Sequence, residues 1–198
     1  MEGRKLLTTF LLISTFMVWK SSGKVYNFKK FLWTKLPVWT YLTTENGGCM
    51  CQVDVMKSMS EKQIDFTHNF LDKHQHRRHQ TLVGVFDKKN VIYTHVYGST
   101  NKVKEEIEYS DKVFKCAVIH VMSMSSFYGD IKRYDLRVWN SSNIATSAQP
   151  CLQAFQKVKH RGHLIYKNFC QNILHKPLQT MNFKEQQIPL QSFCSNVA

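Results

Sequence analysis

Two neighbouring segments constrain the fold of this chain more than any other feature. Residues 113–122 read VFKCAVIHVM and residues 131–140 read IKRYDLRVWN, so both alternate apolar and polar side chains. This alternation is typical of a β-strand with one buried face and one polar face. Cys116 lies in the first segment and Cys151 follows the second, which adds cysteines to the pattern. The sequence therefore predicts a β-rich domain.

Six more strand-like runs precede these two segments, and turn residues separate them. They are residues 38–44, 49–58, 63–71, 79–86, 91–97 and 104–109. Short sequential connections favour an up-and-down barrel over a sandwich, and a barrel of this size encloses room for one small ligand. We therefore predict an all-β fold with a C-terminal helix, built as an eight-stranded antiparallel up-and-down barrel.

Two helices are expected around the barrel. Phe28, Phe31 and Leu32 have helical spacing, which predicts a short N-terminal helix within residues 24–35. A second helix is predicted over residues 150–160, because Pro150 suits a first helical turn and Gly162 suits the exit. An extended piece should then lead to Cys170.

The first residues have the pattern of an export signal. Arg4 and Lys5 precede an apolar run over residues 6–19, and small residues follow at 21–23. This predicts a signal peptide over residues 1–23, a barrel domain over 24–171 and a polar tail over 172–198. We expect a secreted, monomeric protein with no membrane span, and a poorly ordered tail except where Cys194 anchors it.

Cysteine content and charge fit an exported binding protein. The six cysteines are an even number and predict three disulfides, although spacing alone cannot choose among the pairings. The formal net charge of +13 indicates either a solvated cationic surface or attraction to glycosaminoglycans, acidic membranes or an anionic ligand, whereas no nucleic-acid reader motif occurs. No catalytic motif, metal-ligand spacing or cofactor motif is recognisable, so we expect neither an enzyme, nor a metal site, nor a cofactor.

Six stretches carry a resemblance to a known family. They are LPVWTY at 36–41, CQVDV at 51–55, CAV at 116–118, YDLRVWNSS at 134–142, CLQAF at 151–155 and YKNFCQ at 166–171. With these stretches in order over residues 30–171, the chain resembles the tick salivary lipocalins, the histamine-binding family. The resemblance implies a lipocalin barrel, closed by a C-terminal helix and delivered in saliva, that sequesters a host mediator such as histamine or serotonin and blunts host defence. It also implies the disulfides Cys51–Cys170 and Cys116–Cys151, which leaves Cys49 and Cys194 for each other.

The family's amine-binding motif is altered in this chain. Amine binders of the family carry a Cys-Asp-aliphatic motif on one strand and a Glu-Leu-aromatic motif on the next. Here Ala117 stands at the first acid, Asp135 replaces the glutamate and Arg137 replaces the aromatic residue. Arg133, Asp135 and Arg137 share one strand face. Guanidinium groups bind carboxylates through paired hydrogen bonds, so this pattern favours an anionic lipid such as a fatty acid or a leukotriene.

Several readings of the binding site stay open from the sequence. Amine binding needs a second acid, for which Asp54, Asp65 or Glu105 is available. Alternatively, Asp135 and Arg137 form an internal ion pair that only lines the barrel, or the chain is a surface-acting inhibitor of haemostasis or complement. The predicted ligand-binding residues are Trp39, Tyr41, Phe66, Tyr93, Val118, Asp135 and Arg137, with Phe70 and Val85 as further wall residues for a lipid chain.

Two surface features complete the sequence reading. Residues 74–79 (HQHRRH) form a dense polar cluster, which is expected to be a solvated hairpin loop or a contact for an anionic polymer. Asn140 begins an Asn-Ser-Ser acceptor for N-linked sugar, directly after a predicted strand. Both features are expected at the surface.

Overall fold

The computed structural model describes residues 26–113, 115–124, 132–159, 161–175 and 193–194. The predicted signal peptide over residues 1–23 lies outside the described residues. So do Phe114 and Ile131 of the two opening segments and residues 176–192 of the predicted tail.

Eight antiparallel strands form one closed barrel. Each strand pairs with the next along the chain, and the first strand pairs with both the second and the eighth, which closes the sheet. The strands are β1 (Val38–Thr43), β2 (Met50–Met59), β3 (Gln63–Leu71), β4 (Arg77–Phe86), β5 (Val91–Val96), β6 (Val103–Asp111), β7 (Cys116–Ser123) and β8 (Lys132–Trp139). The predicted eight-stranded up-and-down barrel is confirmed, with strand bounds that differ by a few residues.

A short helix, α1 (Phe28–Leu32), closes one end of the barrel. The side chain of Asn27 caps it by accepting a hydrogen bond from the Lys30 amide. Its apolar residues Phe28, Phe31 and Leu32 are all buried and belong to the cluster inside the barrel. Each buried side chain of this kind contributes about 1.5–3 kcal/mol. We call this the closed end.

A longer helix, α2 (Ile144–Val158), lies against the outside of β1, β6, β7 and β8. It begins six residues before the predicted start, because the Asn143 side chain caps it by accepting from the Thr146 amide. Pro150 is therefore inside the helix and not in its first turn. No described helix is both long and apolar enough to span a bilayer.

The two faces of β7 and β8 are buried against different partners. Cys116, Val118 and Leu136 face outward and pack with α2 residues such as Phe155. Ala117 and its inward neighbours on β7 pack inside the barrel with the residues of α1. We call the layer between barrel and α2 the outer seam, and the space inside the barrel the lumen.

Three disulfides tie the outer elements to the barrel. They are Cys49–Cys194, Cys51–Cys170 and Cys116–Cys151. The family resemblance implies the last two pairs, and the first is the pair that was left over. Cys51 has a φ of 55° where the register of β2 shifts, which turns its side chain toward the segment that carries Cys170. After α2, β9 (His163–Leu164) pairs with β1, and a 3-10 turn (Asn168–Gln171), which contains Cys170, and α3 (Asn172–His175) follow. Each disulfide is expected to add about 2–4 kcal/mol by restricting the unfolded chain.

Candidate ligand-binding site

A layer of charged side chains crosses the middle of the lumen. At its centre is Arg137 on β8, whose side chain is 8% exposed. Its Nη1 lies 2.8 Å from Glu105 Oε2 on β6 and 3.6 Å from Asp54 Oδ2 on β2. Its Nη2 lies 3.3 Å from Asp135 Oδ2 on the same strand. Three carboxylates from three strands therefore converge on one guanidinium group.

A second arginine extends the layer away from the closed end. Arg133 donates from Nε to both oxygens of Asp135, at 3.2 and 3.3 Å, and its Nη1 lies 3.2 Å from Glu45 Oε2. The Thr43 hydroxyl donates to Asp135 Oδ1 over 2.8 Å. On the other side of the layer, Thr94 donates to Glu105 over 2.7 Å. The buried acids thus have hydrogen-bond partners, as buried charges require.

One histidine also joins this layer. His68 on β3 is opposite Asp54 in the β2–β3 register, and its Nδ1 lies 2.6 Å from Asp54 Oδ1. Its Nε2 is buried and has no hydrogen-bond partner, and the same holds for the Nε of Arg137. Two polar atoms in this layer therefore have unused hydrogen-bonding capacity.

Burial and charge pairing act in opposite directions on these groups. Burial alone would raise the pKa of Asp135, but the charges of Arg133 and Arg137 and hydrogen bonds from Thr43 and Arg137 lower it below its usual range. Burial alone would lower the pKa of Arg137, whereas Glu105, Asp54 and Asp135 raise it. Asp135 is therefore ionised and Arg137 is protonated at neutral pH.

The layer carries more negative than positive charge. We call it the lumen charge cluster, consisting of the four carboxylates of Glu45, Asp54, Glu105 and Asp135, the two guanidinium groups of Arg133 and Arg137, and His68. Four acids against two arginines leave an excess of two negative charges among these six side chains. An isolated excess of buried negative charge is costly, so the cluster favours a cationic partner.

Between this cluster and α1 the lumen is nearly filled by side chains. A cavity of about 20 Å³ remains there, bounded by residues that include Ile64, Phe66, Ile92 and Arg137. This is room for one water molecule, whereas pockets for drug-sized ligands measure roughly 300–1,000 Å³. The cavity beside Arg137 is therefore too small, as it stands, for a ligand of that size.

Solved structures with the same architecture include crustacyanin apoproteins. Apocrustacyanin C1 is similar with a TM-score of 0.51 at 12% identity, covering 68% of this chain and 77% of that one. Lobster apocrustacyanin A1 gives a TM-score of 0.50 at 12% identity, covering 67% and 76%. The chain has the lipocalin fold. No family model matches it, and no curated protein is a significant match to it by sequence.

Within this lipocalin fold, three of the seven predicted ligand-binding residues face the lumen. Phe66, Asp135 and Arg137 are buried inside the barrel, and the last two share a face as predicted. Their placement agrees with the alternation of side chains along β3 and β8.

The predicted lumen positions of the other four residues are wrong. Trp39, Tyr41 and Val118 lie in the outer seam, where Tyr166 contacts both Trp39 and Tyr41. Tyr93 is paired with Val85 on the outside of β5 and β4. For the three seam residues the physical reason is that α2 and the segment of Tyr166 bury the outer face of β1 and β7, so apolar and aromatic residues occur on both faces of these strands.

Sequence reasoning left the supporting acids undecided, and the structure assigns them. Asp54 and Glu105 are inward and contact Arg137, whereas Asp65 is outward and accepts from the Ser58 hydroxyl over 2.7 Å. His68 was missed altogether. For Asp54, although not for His68, the sequence held a usable signal. Asp54 lies between Val53 and Val55, and an acid between two apolar strand residues has to face a polar layer or solvent.

Asn140 follows β8 and lies outside the barrel, at an open groove of about 640 Å³. Its Oδ1 accepts hydrogen bonds from Trp39 Nε1 over 3.0 Å and from Gln171 Nε2 over 2.7 Å. Glycosylation at Asn140 stays a prediction. Among the described residues, no group of three His, Cys, Asp or Glu side chains is arranged to hold a metal ion.

Proposed function

We propose that this chain is a secreted lipocalin that sequesters a small cationic amine, such as histamine or serotonin, and so withholds a host mediator. No reaction is involved, because sequestration acts by mass action on the free ligand. Secretion is supported by the export pattern of residues 1–23 and by three disulfides. The salivary setting rests on the resemblance of residues 30–171 to the tick family.

The observation that carries the proposal is the carboxylate excess in the lumen charge cluster. Arg137 takes the place of an aromatic residue in the family motif, but Asp54, Glu105 and Asp135 all contact it. The cluster is still acidic after both arginines are counted. A protonated amine next to Asp54 and Asp135 would balance this charge, and the unpartnered Nε2 of His68 offers it a hydrogen-bond acceptor when Nδ1 carries the proton.

The same contacts weaken the case for an anionic lipid. That reading assumed that Arg137 is available to clamp a ligand carboxylate. In the structure the guanidinium already has three carboxylate partners, and a fourth would add to the negative excess. The lipid reading therefore loses the residue on which it was based.

A surface-acting inhibitor of haemostasis or complement is the second candidate. The observation in its favour is the nearly filled lumen near α1, where only about 20 Å³ is unoccupied. Under this reading the lumen charge cluster would only stabilise the barrel. The two candidates differ in whether lumen substitutions change the binding of a small molecule.

Calorimetric titration of the protein lacking residues 1–23 tests the proposal. We expect histamine or serotonin to bind, and arachidonic acid to bind more weakly or not at all. Glu105→Gln removes one carboxylate from the cluster, and the smaller excess of negative charge should weaken amine binding on the order of tenfold or more. Asp54→Asn should act in the same direction.

Asp65→Asn is the matched control, because it also removes one carboxylate but on the outer surface. It should leave the amine dissociation constant unchanged, and thermal unfolding should verify that every variant folds. Equal effects of Glu105→Gln and Asp65→Asn would contradict lumen binding. Tight arachidonic acid binding without amine binding would favour the lipid reading, and failure of both ligands would favour the surface-acting inhibitor.

A further inference from the structure

The end of the barrel opposite α1 is covered as well. Phe70 is the last inward residue of β3 at this end. The β3–β4 register runs without a shift along the whole strand, so Phe70 is on the same face as His68 of the lumen charge cluster, and the two rings lie 5.5 Å apart. Phe70 is fully buried although it lies near the rim of the barrel. Another part of the chain must therefore cover it.

This cover comes from the C-terminal part of the chain. The ring of Phe193 lies 5.7 Å from the ring of Phe70, in one apolar cluster with Cys49 and Cys194. Arg78 is opposite Phe70 in the β3–β4 register, and its guanidinium group lies 5.5 Å from the centre of the Phe193 ring. An aromatic contact and a cation–π contact therefore hold Phe193 against the ends of β3 and β4.

Cys194 ties the cover to the loop between β1 and β2. It forms the disulfide with Cys49, and its carbonyl oxygen accepts a hydrogen bond from the Gly48 amide over 2.7 Å. The loop approaches so closely that a Cβ at Gly47 would lie 3.3 Å from the same oxygen. We call Phe193 and the Cys49–Cys194 disulfide the rim cap. It extends from the β1–β2 loop to β3 and β4.

The rim cap lies next to the lumen charge cluster. Cys194 borders a narrow crevice with Thr43 and Glu45, and this crevice has no room for a water molecule. The ring contacts of Phe193 lead in the same direction, through the neighbouring phenylalanine to His68. Glu45 is the most exposed member of the cluster, with only 22% of its side chain exposed. An amine therefore reaches the inner members only if side chains are displaced.

We propose that the rim cap is a gate, and that a small ligand reaches Asp54 and His68 by displacing the Phe193 and Phe70 rings. The identity of that ligand, a protonated amine, rests on the proposed function, whereas the gate itself does not. Opening is expected here and not at α1, because Phe193 is only partly buried while the apolar residues of α1 are all buried in the lumen. Local opening costs least where the fewest buried contacts break. The disulfide keeps the displaced cap attached.

Chemical modification of His68 tests the gate without any lumen ligand. Diethyl pyrocarbonate acylates accessible, unprotonated imidazole nitrogens, and mass spectrometry reports the rate for each histidine. The Nε2 of His68 is buried, so it should react slowly in the protein lacking residues 1–23. Phe193→Ala removes the ring that holds Phe70 in place and should raise this rate about tenfold. Exposed His163 should react equally in both proteins.

Phe169→Ala is the matched control, because it also removes a partly exposed phenyl ring, but from the 3-10 turn after β9. It should leave the His68 rate unchanged. The double variant Cys49→Ser, Cys194→Ser releases the cap from the β1–β2 loop and should raise the rate at least as much as Phe193→Ala. Equal His68 rates in all of these proteins would overturn the gate. If thermal unfolding shows that the cysteine variant does not fold, Phe193→Ala against Phe169→Ala decides.

Stopped-flow binding of histamine separates the gate from the proposed function. If both hold, Phe193→Ala should raise the association and dissociation rate constants by a similar factor, about tenfold, because a lower opening barrier speeds both directions. Faster modification of His68 without any histamine binding would support the gate and contradict the amine assignment. Histamine binding with rates that Phe193→Ala leaves unchanged would overturn the gate, since the ligand then enters elsewhere.

Discussion

The two faces of β7 and β8 are both buried, yet they have opposite chemistry. The outer seam is apolar: Val118 and Leu136 pack against α2, and the Cys116–Cys151 disulfide fixes the helix there. On the lumen side of the same strands, Asp135 and Arg137 belong to a buried ionic layer. Apolar burial is a general source of stability, whereas a buried ionic layer costs desolvation and needs a further reason. The comparison assigns fold stability to the seam, and under the proposed function ligand choice falls to the lumen.

Truncation of the outer seam should produce the largest loss of stability. Phe155 on α2 is 2% exposed and central to the seam, so Phe155→Ala should lower the free energy of unfolding by about 4 kcal/mol. Denaturant unfolding measures this, with exposed Leu164→Ala as a control that should stay within about 0.5 kcal/mol. Amine affinity of the folded variant should be unchanged. A large change in ligand preference would break the division between seam and lumen.

Loss of the central guanidinium should have the next largest effect. Arg137→Met leaves Asp54, Glu105 and Asp135 without their shared partner, which should cost about 3 kcal/mol at neutral pH. The loss should shrink on acidification, because protonated carboxyls no longer repel one another. The double variant Arg137→Met, Asp135→Asn should recover part of the stability in a double-mutant cycle. Full stability of Arg137→Met at pH 7 would show that the ionic layer has no structural role.

Strand alternation explains how much of this comparison the sequence could predict. Asp135 and Arg137 are two residues apart on one strand, so their shared face followed directly from the sequence. Alternation also implies that Ala117 and Val118 face opposite sides. Because Ala117 stands at the family's lumen acid, Val118 had to be outward, and the prediction of a lumen position for it was wrong.

Long-range pairing explains what the sequence could not predict. Asp54, Glu105 and Arg137 come from strands far apart in the chain, and only barrel closure brings them together. The start of α2 was likewise misplaced, because Pro150 suggested a first turn while the Asn143 cap begins the helix earlier. A helix cap and a proline compete as start signals, and the surrounding packing decides between them.

The change in the free energy of unfolding at acidic pH should provide the smallest and most specific test of the lumen side. The pKa of Asp135 is lower in the folded protein than in the unfolded chain, where it is about 3.9. Its contribution to stability is therefore fully present above that value and is lost as the pH falls through the lower folded pKa. Asp135→Asn lacks this contribution, so the difference in unfolding free energy between wild type and variant should be large at pH 6 and smaller at pH 2. Asp65→Asn, on the outer surface, should show a much weaker pH dependence of this difference. A constant difference for Asp135→Asn across the range would mean that lumen packing, and not charge, holds Asp135 in place.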